Sequence, residues 1–364
     1  MEILLDIGST MLAQFQKPTL AFLMGGMMLA ALGSKLQVPE PVYKFIVILL
    51  LLKVGLGAGI SVRESDLVSL AVPALLAALT GIAIVLIGGR TLAKWPGVSK
   101  VDGLATAGLF GAVSASTLAA GMAMLDGEDI AYEGFIGALY PFMDIAALVT
   151  AIVLARISAE RRATSIIQRD GTAVMGNGGG SGSSGFGTSG GQISAGFDGE
   201  VVKGILADTF RSPAISALLL GLAIGFLGKP DTVFDSFYEP LFYGLLSVLM
   251  LIMGMEAWVR LSELRQVAYV YVLYGIAAPL IHGFLGFGAG LLAHNMTGFS
   301  AGGVVLLAVM ASSSSDISGP PTLRGALPEA NPSAYVGTST GLGTPVAILS
   351  IPLFMALADA FIGF

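Results

Sequence analysis

Ten long apolar segments constrain the fold of this chain more than any other feature. Each is about 20 residues long, the length that a helix needs to cross the hydrocarbon core of a bilayer. The mean hydropathy is +0.85 and only 12% of the residues are charged, a composition unlike that of soluble proteins. The pattern predicts an all-α membrane protein with ten transmembrane helices, at residues 18–34, 41–60, 68–90, 101–124, 134–156, 201–227, 238–259, 266–293, 300–324 and 333–358.

The ten segments fall into two sets of five that resemble each other. Pro18 and Gly26 in the first set correspond, at a constant offset, to Pro213 and Gly221 in the second. Because five is an odd number, the second set would enter the membrane from the opposite side. The sequence therefore predicts a 5+5 inverted repeat, a common plan among secondary transporters.

The repeat divides the chain into three parts. We assign the first five-helix repeat to residues 1–156, a cytoplasmic flexible linker to 157–200 and the second five-helix repeat to 201–364. The run GNGGGSGSSGFGTSGG at 176–191 has the composition of a flexible linker, and we expect it to be disordered.

The distribution of Lys and Arg predicts the orientation. With the linker in the cytoplasm, 14 of the 18 Lys and Arg residues lie in cytoplasmic loops or helix ends, as the positive-inside rule requires. Both termini should then lie outside, in a multi-pass protein of the bacterial inner membrane.

Two of the predicted helices carry polar interruptions at matching positions. The segment ASSSSDISGPP, 311–321, follows an apolar run and ends in two prolines, and FGAVSAST, 110–117, lies in the corresponding part of the first set. A helix broken within a membrane exposes backbone amides and carbonyls that can bind ions. We therefore predict two broken helices with a binding site between them.

Asp316 is the first candidate ligand in this site. An ionisable residue within a membrane is costly, so a functional role is the default hypothesis. A carboxylate with hydroxyl neighbours is a set of hard oxygen ligands that suits Na⁺ or H⁺. The alternative is that Asp316 caps the half-helix that begins near Pro320.

The hydroxyls of Ser114, Ser116 and Thr117 form the matching cluster in the first broken helix. They could meet a ligand together with freed amides. They could also allow close helix packing, as small residues do in membranes, and the nearby Gly111 and Gly121 favour that interpretation.

A second carboxylate and its repeat mate extend the candidate set. Asp144 follows Pro141 within the fifth segment, where it is either a second cation ligand or proton carrier, or a buried carboxylate paired with a hydroxyl. Thr344 occupies the matching place in the tenth segment. Pro345 should kink that segment and leave a carbonyl free to bind sodium.

Other polar residues in the segments are interpreted more simply. We expect Glu256 to be paired or to reach an interface, the long stem of Lys53 to reach an interface, and His282 to make structural hydrogen bonds. Helix-packing faces are predicted at the GxxxG patterns Gly55–Gly59, Gly221–Gly225 and Gly286–Gly290.

Several classes of function lack their motifs. The chain has no Cys and two His, and it contains no Walker A loop and no HExxH pattern. We expect no enzymatic activity, no nucleic-acid partner and no cofactor beyond a coupling ion. No arginine lies near either interruption, so a strongly charged substrate is disfavoured and a small monoanion is favoured. The identity of that anion, and the choice between a coupled carrier, a passive channel and a non-transporting sensor, stay open.

Six motifs in order resemble one family, the SbtA-type sodium-dependent bicarbonate transporters of cyanobacteria and other bacteria. They are AFLMGGMMLAALGSKLQVPE, LATAGLFGAVSAST, GALYPFMDIAALVTAIV, LMLIMGMEAW, SSSSDISGPPTLR and NPSAYVGTSTGLGTP. The resemblance covers nearly the whole chain outside 157–200. It implies Na⁺-driven bicarbonate symport by alternating access, a homotrimer, and a PII-like regulatory protein at the cytoplasmic face. The glycine-serine linker departs from the family pattern, which puts that regulation in doubt.

The resemblance also assigns roles to residues. It implies substrate binding by the two interrupted segments, at Phe110, Gly111, Ala112, Ser114, Ser116, Thr117, Ser313, Ser314 and Ser315. Together with the ligand chemistry above, it implies sodium binding at Ser114, Ser116, Asp144, Ser315, Asp316, Ser318 and Thr344.

Overall fold

The computed structural model describes residues 16–64, 67–173, 203–204, 207, 210–263 and 269–364. Regular structure in these residues is entirely helical. The main helices are α1 (Pro18–Ala31), α2 (Glu40–Glu64), α3 (Leu67–Arg90), α4 (Lys100–Gly111), α5 (Ala115–Asp126), α6 (Tyr140–Ala173), α7 (Pro213–Leu227), α8 (Glu239–Glu263), α9 (Tyr269–Thr297), α10 (Ala301–Ser312), α11 (Gly319–Ala326), α12 (Pro332–Thr338) and α13 (Thr344–Phe361).

Seven helical stretches of the described chain are long and apolar enough to cross a membrane, where the sequence predicts ten. They are Glu40–Arg63, Ser69–Lys94, Lys100–Asp126, Gly134–Ala159, Asp231–Leu261, Tyr269–Thr297 and Pro332–Phe361. The first, sixth and ninth predicted segments instead contain the shorter apolar helices α1, α7 and α10. The described chain is therefore all-helical, with seven helices whose length and composition allow them to span a membrane.

The predicted linker begins inside a helix. α6 continues to Ala173, so the residues that follow 156 extend the fifth segment before the glycine-serine run. That run, 176–191, lies outside the described residues.

The helices form two groups. In the first, which we call the four-helix bundle, α2 packs along α7 and α1 packs along α8. In the second, the broken-helix bundle, α3, α6 and α9 surround α4, α5 and α10, with α11, α12 and α13 alongside. The interrupted helices are the most central: every residue of α5 but Asp126, and every residue of α10 but Ala301, is buried.

Glycines bring the helices of the four-helix bundle into backbone contact. A Cβ at Gly221 of α7 would lie 2.7 Å from the Leu52 carbonyl oxygen of α2, and one at Gly55 would lie 3.1 Å from the Gly221 Cα. In the other pair, a Cβ at Gly254 of α8 would lie 2.9 Å from the Met27 backbone nitrogen of α1. These distances leave no room for side chains, so the predicted GxxxG packing faces of α2 and α7 are confirmed.

Candidate functional site

The first interruption separates α4 from α5. α4 ends at Gly111 and α5 begins at Ala115. The Val113 N–H donates to Asp144 Oδ1 at 3.1 Å, and Ser114 Oγ accepts the Thr117 N–H at 3.1 Å as the N-cap of α5. The first N–H groups of any helix have no intrahelical partner, and with the helix dipole they give this end of α5 a partial positive charge.

The second interruption separates α10 from α11. α10 ends at Ser312 and α11 begins at Gly319, with its two prolines in the first turn, where a missing N–H costs nothing. Ser315 Oγ accepts the Gly319 N–H at 2.8 Å. Asp316 does not cap α11, so that interpretation of Asp316 is wrong: Ser315 satisfies the helix end and leaves the carboxylate available.

The two interruptions are hydrogen-bonded to each other. The Ser114 N–H donates to Ser313 Oγ at 2.9 Å, and the Ser315 N–H donates to the Leu109 carbonyl at 2.8 Å. Leu109 lies in the last turn of α4, where carbonyls lose their intrahelical partners. Buried backbone groups must be paired, and each interruption supplies hydrogen-bond partners for backbone groups of the other. The polar side chains of both interruptions therefore meet in the protein interior.

Asp316 reaches across to the first broken helix. The Ser116 hydroxyl donates to Asp316 Oδ2 at 2.6 Å, and the Ser114 and Ser116 hydroxyl oxygens lie 2.8 Å apart. Asp316 Oδ1 is buried and has no hydrogen-bond partner within the described chain. An unpartnered buried carboxylate oxygen is costly, and a bound cation would remove that cost.

Asp144 lies in a second group of hydroxyls. Its Oδ1 accepts the Val113 N–H, and its Oδ2 accepts the Ser318 hydroxyl at 3.2 Å. The Ser318 Oγ lies 3.0 Å from Ser315 Oγ and 3.3 Å from the Tyr140 hydroxyl. Asp144 is fully buried. It is thus paired with a neighbouring hydroxyl, as one interpretation expected, in a group that also offers several hard oxygen ligands.

Ser314 and Thr344 belong to a third group, on the α13 side of the site. Their hydroxyl oxygens lie 3.5 Å apart, and the Ser339 hydroxyl donates to Ser314 Oγ at 2.9 Å. A π-helical turn, Ser339–Gly343, precedes Thr344. In this turn the Ser339 carbonyl accepts the Thr344 N–H, and the kink at Pro345 stays a prediction. Thr344 therefore joins the site through Ser314.

The remaining residues of the first segment are packed among apolar and aromatic groups. Phe110 and Ala112 are fully buried, and the Phe110 ring lies edge-on to Tyr274, with 5.1 Å between centroids. A Cβ at Gly111 would lie 2.9 Å from both the Ala147 Cβ and the Gly81 carbonyl oxygen. Neighbouring helices thus approach Gly111 so closely that a larger side chain would not fit there.

Two buried polar residues singled out from the sequence have an atom without a partner within the described chain. In the described residues, neither Thr117 Oγ1 nor His282 Nδ1 has a hydrogen-bond partner. The His282 ring instead packs edge-on to Phe110, at 6.3 Å between centroids. The prediction that His282 makes structural hydrogen bonds is not met at this nitrogen.

Glu256 is paired as predicted, with Arg260 at 3.5 Å.

Ser339 and Tyr140 contact the site but were not among the predicted residues. Ser339 lies five residues before Thr344 in the run STGLGT, and Tyr140 directly precedes Pro141. The signal for Ser339 was a hydroxyl-rich run ahead of a helix-breaking proline. Tyr140 gave a weaker signal, because an aromatic residue in an apolar segment is ordinarily a packing residue.

The arrangement defines a class of protein. Two interrupted helices that meet in the interior of an apolar helical protein, with buried carboxylates and hydroxyls at the interruptions, are typical of secondary transporters. A family model described as the Na⁺-dependent bicarbonate transporter superfamily matches residues 18–359, and the chain belongs to this family. A comparison with curated proteins found no match.

Proposed function

We propose that this protein is a sodium-driven bicarbonate symporter that works by alternating access. The single observation that carries the proposal is Asp316, whose Oδ1 is buried without a partner among the described residues while Oδ2 accepts the Ser116 hydroxyl at 2.6 Å. A Na⁺ ion at Oδ1 would complete the coordination of this carboxylate. Membership of the sodium-dependent bicarbonate family supports the choice of both ions.

The anion has a place beside the cation in this proposal. The N-terminus of α5 carries partial positive charge, and the side chains of Ser114, Ser313 and Ser314 place hydroxyl groups beside it. A Na⁺ ion held by Asp316 would add a full positive charge nearby. Each ion would then raise the affinity for the other, which is the coupling that symport needs.

Asp144 has a supporting role in the proposal. Because Val113 and Ser318 already donate to its two oxygens, the carboxylate ties both interruptions together. With Ser315 and Ser318 it also forms a candidate for a second sodium site.

The reciprocal packing of the helices supports a 5+5 inverted repeat. α1 packs on α8 and α2 packs on α7, which is the pairing that results when corresponding helices of two repeats are exchanged. The interruptions likewise fall in corresponding segments, the fourth and the ninth. The broken-helix bundle would move against the four-helix bundle during transport.

The finer assignments of setting and assembly rest on the Lys and Arg distribution and on the family resemblance. We place the protein in the bacterial inner membrane with both termini outside, as a homotrimer that a PII-like protein contacts from the cytoplasm. A C-terminal reporter that is active only in the cytoplasm would overturn the orientation, and light scattering on the purified protein tests the trimer.

Uptake of ¹⁴C-bicarbonate into proteoliposomes at fixed alkaline pH tests the main proposal. With an inward Na⁺ gradient we expect accumulation above equilibrium, and collapse of the gradient should abolish it. Flux that ignores the gradient would indicate a channel. Absence of bicarbonate flux, with Na⁺-dependent flux of formate, would indicate a carrier of another small monoanion.

A further inference from the structure

A cavity beside the proposed site carries a second set of charged residues. A cavity of about 490 Å³ lies between the two bundles. Its walls come from α2, from the turns before α8 and α6, and from α5. The lining residues are Lys53, Val54, Gly57, Ile60, Ser61, Met122, Tyr132, Gly134, Asp231, Phe234 and Asp235.

Lys53 places a buried positive charge on the wall of this cavity. Its side chain is 9% exposed, and it is the one Lys or Arg that is buried among the described residues. The ammonium nitrogen lies 4.0 Å from Glu239 Oε1 and 4.2 Å from the Phe242 ring centroid. It makes no hydrogen bond within the described chain, although an ammonium carries three donors. These donors can take an acceptor from the cavity.

The acidic residues around the cavity compensate Lys53 only in part. Asp231 is 53% exposed and pairs with Arg63 at 3.6 Å, and the Glu239 side chain is 55% exposed. Water screens such exposed charges, whereas the field of Lys53 acts in a less polar surrounding. The carboxylates, with Asp235, would repel a dianion more than a monoanion. The chemistry therefore fits one small monovalent oxyanion.

The cavity is linked to the Asp316 cluster through Val54. Val54 lines the cavity and also a second, very small apolar void. That void is bordered on its far side by Ala115, Ser116 and Ala119 of α5. Val54 is thus part of an apolar wall shared by the cavity of Lys53 and the void that Ser116 borders.

We infer that Lys53 anchors a second anion site, which holds one monovalent oxyanion such as bicarbonate or formate before it crosses the apolar wall. The ammonium supplies the charge and donors, and the carboxylates of the cavity exclude dianions. The inference rests on the proposed function for its role in transport. The site itself does not depend on which ion is carried.

Cysteine labelling tests the site without any transport. The chain contains no Cys, and Gly57 is one helical turn from Lys53 on the cavity wall, where a Cβ would lie 3.4 Å from the Phe234 ring, an ordinary contact. In nanodiscs, the measured quantity is the ratio of the labelling rate with an anionic methanethiosulfonate to the rate with a cationic one. This ratio should be about fivefold higher for Gly57→Cys than for Gly57→Cys/Lys53→Gln, because the double variant lacks one positive charge. Bicarbonate and formate should slow labelling, sulfate should not, and Lys53→Gln should remove the protection. An unchanged reagent ratio together with no protection overturns the site, whether or not bicarbonate is transported.

Two charge variants separate an anion site from a structural ion pair. Lys53→Gln should raise the KM for the anion about fivefold with kcat unchanged, and Lys53→Arg should restore it. Glu239→Gln should lower the same KM, because it removes a competing carboxylate. If Lys53 served only to pair with Glu239, both neutral variants would change the KM in the same direction and lower Tm alike, and that result would refute the inference.

Discussion

Replacement of Asp316 by Asn tests the central claim about the site at the level of sodium binding. Asn keeps the size of the side chain and an oxygen that can accept the Ser116 hydroxyl, now 2.6 Å from Asp316 Oδ2. It removes the negative charge at Oδ1, the buried oxygen without a partner among the described residues. The variant should therefore fold and lose most of its affinity for Na⁺.

The size of the effect follows from elementary electrostatics. Two opposite unit charges about 4 Å apart at an effective dielectric constant of about 20 attract by about 4 kcal/mol. The Asn carbonyl dipole keeps part of this, so we expect a net loss of about 3 kcal/mol, or about 100-fold in Kd. A Na⁺ concentration of about 100 times the wild-type Kd stabilises the wild type by about 2.7 kcal/mol, but a variant that binds about 100-fold more weakly by only about 0.4 kcal/mol.

Thermal unfolding in detergent, with choline replacing Na⁺ at constant ionic strength, measures this difference. For a chain of 364 residues the unfolding entropy is about 0.76 kcal/mol/K, so the wild-type shift in Tm is about 3.5 °C, and that of Asp316→Asn should be about 0.5 °C. Asp359→Asn is the matched control, because Asp359 is exposed at the end of α13, and it should keep the full shift. A wild-type shift in Asp316→Asn would refute the assignment of Asp316 as the sodium ligand.

Three further outcomes are expected. Asp144→Asn should lower Tm even without Na⁺, because it weakens charge-assisted bonds from Val113 and Ser318 worth about 1.5 to 3 kcal/mol each; an unchanged Tm would mean that these bonds do not hold the interruptions together. Ser339→Ala should raise the KM for bicarbonate a few-fold with kcat unchanged, since it removes a hydroxyl 2.9 Å from Ser314 Oγ; uptake kinetics equal to wild type would exclude Ser339 from the site. Gly221→Val should lower Tm strongly, because its Cβ would lie 2.7 Å from a carbonyl oxygen of α2 and overpacking costs about 1 to 3 kcal/mol, whereas Gly244→Val, at a glycine with open space around it, should lower Tm little.

The interruptions were predictable because their cause is local. Pro320 and Pro321 cannot donate backbone hydrogen bonds, and a run of serines beside an apolar segment offers competing bonds to the backbone. The lengths of the helices were less predictable. α1 and α7 have 14 and 15 residues, and the described part of the chain contains seven helices long enough to span where apolar composition predicted ten.

The roles of single residues in the site depended on contacts between distant segments. Asp316 could cap its own helix by sequence, and the structure gives that position to Ser315. Ser116 lies 200 residues away along the chain, and its bond to Asp316 follows from the crossing of the two interruptions. Lys53 was expected to reach a membrane interface, but α2 packs beside α8 and its ammonium group faces a cavity.

The sequence by itself determined the class of this protein: apolar segments of membrane length, two interrupted helices and ordered motifs shared with one family. These features act through local backbone chemistry and through transfer of side chains from water to lipid, which each segment carries on its own. Only the tertiary structure decided which oxygen of Asp316 is left without a partner in the described chain, that Ser339 and Tyr140 belong to the site, and that Lys53 faces a cavity. Those outcomes are set by which groups from remote helices lie within hydrogen-bonding distance, and no local rule contains that information.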